Sequence, residues 1–60
     1  MTVGYRFAPE YYARPYWVDA YRYRLPRPGY GQQWVRYGND VVLVELRSGR
    51  TVQVFNRFFY

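Results

Sequence analysis

The chain predicts a mainly β fold: a small three-stranded antiparallel meander over about residues 32–37, 40–46 and 50–56, led by an extended aromatic N-terminal segment. Three observations carry that reading. The three runs are rich in β-branched and aromatic residues. Gly38-Asn39 and Ser48-Gly49 separate them as two-residue loops whose chemistry favours tight hairpins. Everything before them is punctuated by proline, which leaves no room for a long helix.

The first region, 3–16, is a Tyr-Arg-Pro segment in which Pro9 and Pro15 exclude a long helix or a central strand. It is expected to be extended and wrapped on something. Residues 17–23 predict one short helical turn, with Asp19 near its start and Pro26 ending the run. A half-buried strand is the rival, since Tyr21, Tyr23 and Leu25 share one parity and Arg22 and Arg24 the other. Residues 26–31, PRPGYG, form a loop by composition and deliver the chain into the sheet.

Parity along the middle strand sets Val42, Val44 and Leu46 on one face and Val41, Leu43 and Glu45 on the other. Both faces are largely apolar. A lone three-stranded sheet would leave one of them wet, so the N-terminal segment or a second copy is expected to cover it. In the last strand Val52 and Val54 share a parity, with Thr51, Gln53 and Phe55 opposite. Trp34 shares a face with Arg36, and its packing is expected to be structural.

Sixty residues make one domain at most, and a domain this small buries only about 60% of the surface its unfolded chain exposes. There is no Cys to staple it, so aromatic packing, the sheet or a neighbouring copy must supply the stability. Nine Tyr help: a large ring covers area while its hydroxyl stays wet.

All nine basic residues are Arg, against four carboxylates, for a net charge of +5. Interleaved Arg and Tyr could hold an acidic polymer, but cation-π stacking on an aromatic surface is the favoured reading. The positives run from Arg6 to Arg57 without forming a block, which argues against a dedicated nucleic-acid patch. No stretch approaches the roughly 20 apolar residues of a membrane span, and Met1-Thr2-Val3-Gly4 does not read as a signal peptide.

The inventory also argues against catalysis. There is no His, Cys or Lys to serve as a tuned base or nucleophile, and the single serine, Ser48, sits in a predicted turn. Asp40 and Glu45 differ in parity on one strand and cannot pair within one copy. No catalytic and no metal residues are assigned.

Residues 25–50 carry a resemblance, in Leu25-Pro26, Pro28-Gly29-Tyr30, Trp34-Val35-Arg36, Gly38-Asn39-Asp40, Val42-Leu43-Val44 and Ser48-Gly49-Arg50. Weaker similarity runs back through Arg14-Pro15-Tyr16-Trp17 and 19–24, and forward to Phe58-Phe59-Tyr60. The chain resembles the core of the RcnB family, small periplasmic proteins linked to nickel and cobalt homeostasis. That resemblance implies export, with Met1 opening a segment excised from a longer protein, and a single domain over 1–60. It also implies a weak nickel or cobalt association which this donor set does not support, because those ions favour imidazole and thiolate. Any such ligands are expected in a spacer outside these residues, and no cofactor is expected in this chain.

Three functions follow as expectations. The first is a non-enzymatic periplasmic accessory domain that binds an envelope protein or an anionic envelope polymer through Tyr30, Trp34, Arg36 and Tyr37, since aromatic and Arg side chains are enriched at binding hot spots. The second is a structural role as a homo-oligomer, joined through sheet edges at Val52, Val54 and Phe55 and through the tail Phe58, Phe59 and Tyr60. The third is a polyanion-binding module; export would make nucleic acid an unlikely partner.

Overall fold

The computed structural model describes residues 3–59. Its sheet is the expected antiparallel meander in the order β1 (Gln32–Tyr37), β2 (Asp40–Glu45) and β3 (Arg50–Phe55). The β1–β2 hairpin closes between Tyr37 and Asp40, around Gly38 with φ of 60° and Asn39 with none of that strain. Positive φ at the first central residue alone is the type II′ pattern, whose twist matches the strands.

The second connection differs from the expected two-residue loop. Strand β2 ends at Glu45, one residue before the expected Leu46, and residues 46–49 form a four-residue turn. The N–H groups of Ser48 and Gly49 both donate to the Glu45 carbonyl, at 3.2 and 2.7 Å. Ser48 Oγ donates to Glu45 Oε1 and accepts from the Arg50 N–H. The serine hydroxyl thus spends itself locally and draws the turn wider.

A register shift between Leu43 and Val44 also breaks the parity expected of β3. Val42 pairs with Val54 and Leu43 with Gln53, but Val44 pairs with Thr51, so Val52 is the extra residue of a β-bulge. Thr51 and Val54 therefore share a face, while Val52 is 39% exposed.

The N-terminal segment covers both faces of the sheet. On one face Phe7 packs with Val35, Val42 and Val44, backed by Tyr12 and Val54. On the other, Val18 and Leu25 pack with Trp34, Val41 and Leu43, joined by Ala20, Phe55 and Phe59. The segment also pairs with both outer edges. Gly4 N–H donates to Thr51 O, Thr51 N–H to Tyr5 O, and Phe7 N–H to Gly49 O, all within 2.8 Å. At the far edge Val18 N–H donates to Trp34 O at 2.8 Å, beside an antiparallel bridge from Trp17 to Val35. The edge left open on β3 is its second half, 52–55, because the first half already has a partner.

The prolines of this segment start short helices rather than merely preventing long ones. Two 3-10 turns, Pro9–Tyr12 and Arg14–Tyr16, each carry Pro in their first two positions. There its fixed φ suits a helical start and its missing N–H costs nothing. The helical turn expected near 17–23 is instead a hydrogen-bonded turn over 20–24, closed by Leu25 N–H to Ala20 O at 2.8 Å. The rival strand is absent too: Tyr21 is 91% exposed, and Arg24 takes a left-handed φ of 57° that reverses the chain.

Thr51 is 1% exposed, yet its Oγ1 has no hydrogen-bond partner among the described residues. A desolvated hydroxyl without a partner costs about 1–3 kcal/mol, and a same-shape apolar replacement removes that cost. Thr51→Val is therefore expected to stabilise the domain by about 1 kcal/mol, a rise of roughly 4–8 °C in Tm for a chain of this size. Thermal unfolding followed by circular dichroism reads the shift, and a fall in Tm would mean the hydroxyl is satisfied.

Candidate functional site

The structure does not bring the four residues singled out as a contact surface together on one face. Trp34 is fully buried; its Nε1 donates to Pro26 O at 2.7 Å and its ring stacks on Phe55 at 5.4 Å. Tyr30 stands fully exposed on the loop before β1. Arg36 and Tyr37 are adjacent on a strand and so project to opposite faces. Tyr37 joins a cluster with Phe7 and Tyr11, at centroid distances of 5.2 and 6.2 Å.

Arg36 lies on the Trp34 face and has distinctive surroundings. Its Cζ sits 4.2 Å over the centre of the Phe59 ring, while its Nε donates to Gly38 O at 2.9 Å. Phe59 in turn meets Tyr23 edge-on at 5.4 Å, and Arg22 Cζ lies 5.8 Å over Tyr23. These groups, with Tyr16, Trp17 and Asp19, line a cleft of about 340 Å³. The Trp17 ring is held by its Nε1–H bond to Tyr12 O at 2.8 Å, with Arg14 Cζ 5.4 Å from its centre. A second cleft of about 390 Å³ opens between Val18, Leu25, Arg27 and Gln33.

Two chain reversals assemble the first cleft. Arg24 with φ 57° turns the strap so that Tyr23 returns toward the sheet. Arg57, also at φ 57°, turns the C-terminal tail; its N–H donates to Asp40 Oδ1 at 2.8 Å, and Phe59 N–H then reaches Asn39 O at 2.8 Å. Sequence reasoning selected Arg36 but missed Trp17, Arg22 and Tyr23 beside it. Phe59, expected in self-association, instead covers Arg36 at the cleft. No local signal marks either reversal, because arginine has no preference for the left-handed region.

The other residues expected to support self-association are largely engaged within the chain. Val54 packs under Phe7's cluster, Phe55 stacks on Trp34, and Phe58 meets Tyr23 and Phe59. Val52 remains partly open, and Tyr60 lies outside the described residues.

The carboxylates do not neutralise this basic surface in the simplest way. Asp19 Oδ1 accepts the Tyr21 N–H, Asp40 Oδ1 the Arg57 N–H, and Glu45 Oε1 the Ser48 hydroxyl. Three of four acids thus brace the backbone and a turn.

Comparison with known families decides the kinship. The family model described as nickel/cobalt transporter regulator matches residues 4–53 of the 60. The chain belongs to the RcnB family. Membership implies a role in regulating nickel/cobalt homeostasis. The match begins in the strap, further back than the quoted motifs, and stops at Gln53, so the tail bearing Phe59 lies beyond it. No curated protein and no solved structure matches the chain.

The RcnB assignment raises the question of whether these residues fit nickel or cobalt, and they do not. Both ions favour imidazole and thiolate, which the chain lacks. Among the described residues no three acidic side chains converge. Three of the four carboxylates, Asp19, Asp40 and Glu45, already accept hydrogen bonds from backbone N–H groups or the Ser48 hydroxyl. Among the described residues, no helix is long and apolar enough to cross a membrane.

Proposed function

We propose that this RcnB domain serves nickel/cobalt regulation without ligating either ion: it is a non-enzymatic, exported accessory domain that acts by contact with another component of the cell envelope. The observation that carries this reading is the pairing of a donor set unfit for nickel or cobalt with a cleft lined by arginine and aromatic side chains. The periplasmic setting comes from the family. A non-catalytic role is supported by Ser48, the single serine, whose Oγ is committed to Glu45 and Arg50 in a turn. The chain closes both sheet faces with its own N-terminal segment, so a partner would meet the exposed Arg and Tyr side chains and the open half of the β3 edge.

Titration calorimetry with nickel and cobalt chloride tests the central point. Heats no larger than dilution are expected up to millimolar metal. Saturable micromolar binding would overturn the reading and place an ion site within these 60 residues.

A further inference from the structure

We propose that the cleft under Arg36 binds an acidic sugar, a carboxylate-bearing pyranose unit such as a hexuronate. This deepens the accessory-domain reading, on which it rests, by naming the chemistry of the envelope component.

The charge comes first. Arg22 and Arg36 each lie over one ring of a touching pair, Tyr23 and Phe59. A guanidinium whose face is covered by a ring keeps its N–H edges for an acceptor in its own plane, and the two-pronged edge matches a carboxylate. Among the described residues Arg36 commits only Nε, to Gly38 O, and its terminal N–H groups have no partner there. Among the described residues Asp40 and Glu45 are engaged elsewhere, so two guanidiniums face the single carboxylate of Asp19 here and the cleft keeps a net positive charge that suits an anion.

A bare anion would use only part of the site. Trp17 and Tyr16 supply an aromatic wall, and the Trp17 indole is already oriented by its bond to Tyr12 O, so little ordering cost remains to be met on binding. Such a wall suits the flat C–H face of a pyranose. Asp19 adds an acceptor: Oδ1 holds the Tyr21 N–H, and Oδ2 is the oxygen a sugar hydroxyl would reach. Donors for a carboxylate, a ring platform and an acceptor for hydroxyls together specify an acidic sugar better than phosphate or an apolar ligand. The volume of about 340 Å³ lies in the range of small-ligand sites, about 300–1,000 Å³. The neighbouring cleft beside Arg27 lacks the stacked Arg-aromatic pair.

The two tryptophans make the test self-controlled. In heteronuclear NMR of the whole chain titrated with galacturonate, the Trp17 indole N–H and the Arg36 Nε–H are expected to shift saturably. The buried Trp34 indole, bonded to Pro26 O, is expected to stay still. Galactose, lacking the anion, and acetate, lacking the ring, are expected to bind at least about tenfold more weakly, as is galacturonate to Arg36→Gln or Arg22→Gln, the loss of one charge-assisted hydrogen bond. An unmoved Trp34 signal in each variant reports that the fold is intact. Silence with galacturonate, equal shifts with acetate, or undiminished binding in both variants would overturn the proposal. Nickel chloride in a parallel titration separates the two readings: a nickel response overturns the metal-free accessory role, whereas silence to the sugar alone overturns only this site.

Discussion

Replacing Trp34 with alanine is expected to leave the domain largely unfolded at room temperature. The side chain has no exposed surface and touches three parts of the chain at once: Pro26 O through its indole N–H, Phe55 through ring stacking, and Val18 and Leu25 of the strap through the core. Truncating a buried Trp costs about 3–5 kcal/mol. At about 0.05–0.15 kcal/mol per residue, a chain this short holds only about 3–9 kcal/mol in all. Urea unfolding followed by near-ultraviolet circular dichroism would read the loss. Trp34→Phe separates volume from polarity: it keeps the stack on Phe55 but strands the Pro26 carbonyl, and is expected to fall between the two. A Trp34→Ala chain with a native-like urea midpoint would show that the strap holds the face without this anchor.

Gly49→Ala is expected to have the next largest effect, and to act on the opposite face. Gly49 adopts φ of 77°, where an L side chain costs about 1–2 kcal/mol from the backbone alone. A Cβ there would also sit 2.5 Å from Phe7 O and 2.8 Å from Tyr12 Cε1. The first obstacle is backbone, so relief requires the strap to move, breaking the Phe7 N–H to Gly49 O bond and lifting Phe7 from Val35, Val42 and Val44. The expected total is about 3 kcal/mol, the backbone cost plus partial loss of a buried aromatic contact. Amide hydrogen exchange locates it: faster exchange at Phe7 and Thr51, with β1–β2 amides less affected. Gly38→Ala is the control for φ alone, since a Cβ at Gly38 meets nothing within 4 Å.

The meander was legible because two local codes agree: alternating β-branched residues mark the strands, and Gly38-Asn39 marks the first hairpin. The second hairpin was placed correctly but its turn was not, since Ser48 spends its hydroxyl on Glu45 and widens the loop to four residues. The bulge at Val52 was invisible, because Thr51-Val52-Gln53-Val54 alternates regularly and only the pairing with β2 shows the slip. The expectation that the N-terminal segment or a second copy would cover one face resolves into a strap that covers two. Of the contact residues, Arg36 is in the cleft because its parity matches Trp34; Tyr37, one residue on, is carried to the other side for the same reason. Phe59 and Tyr23 arrive only through reversals at Arg57 and Arg24, residues whose identity predicts no such turn.

The pairing of Gly4, Tyr5 and Phe7 with Gly49 and Thr51 has a consequence for the order in which the molecule can form. A chain made N-terminus first presents these residues well before their partners at the start of β3. The hydrophobic side of the β1–β2 hairpin that Phe7 covers therefore stays open until β3 is in place. Closing so long a loop is entropically unfavourable until these contacts form. Closure of this face is then a single event that waits on β3, and the strands before it stay pliable until it is in place.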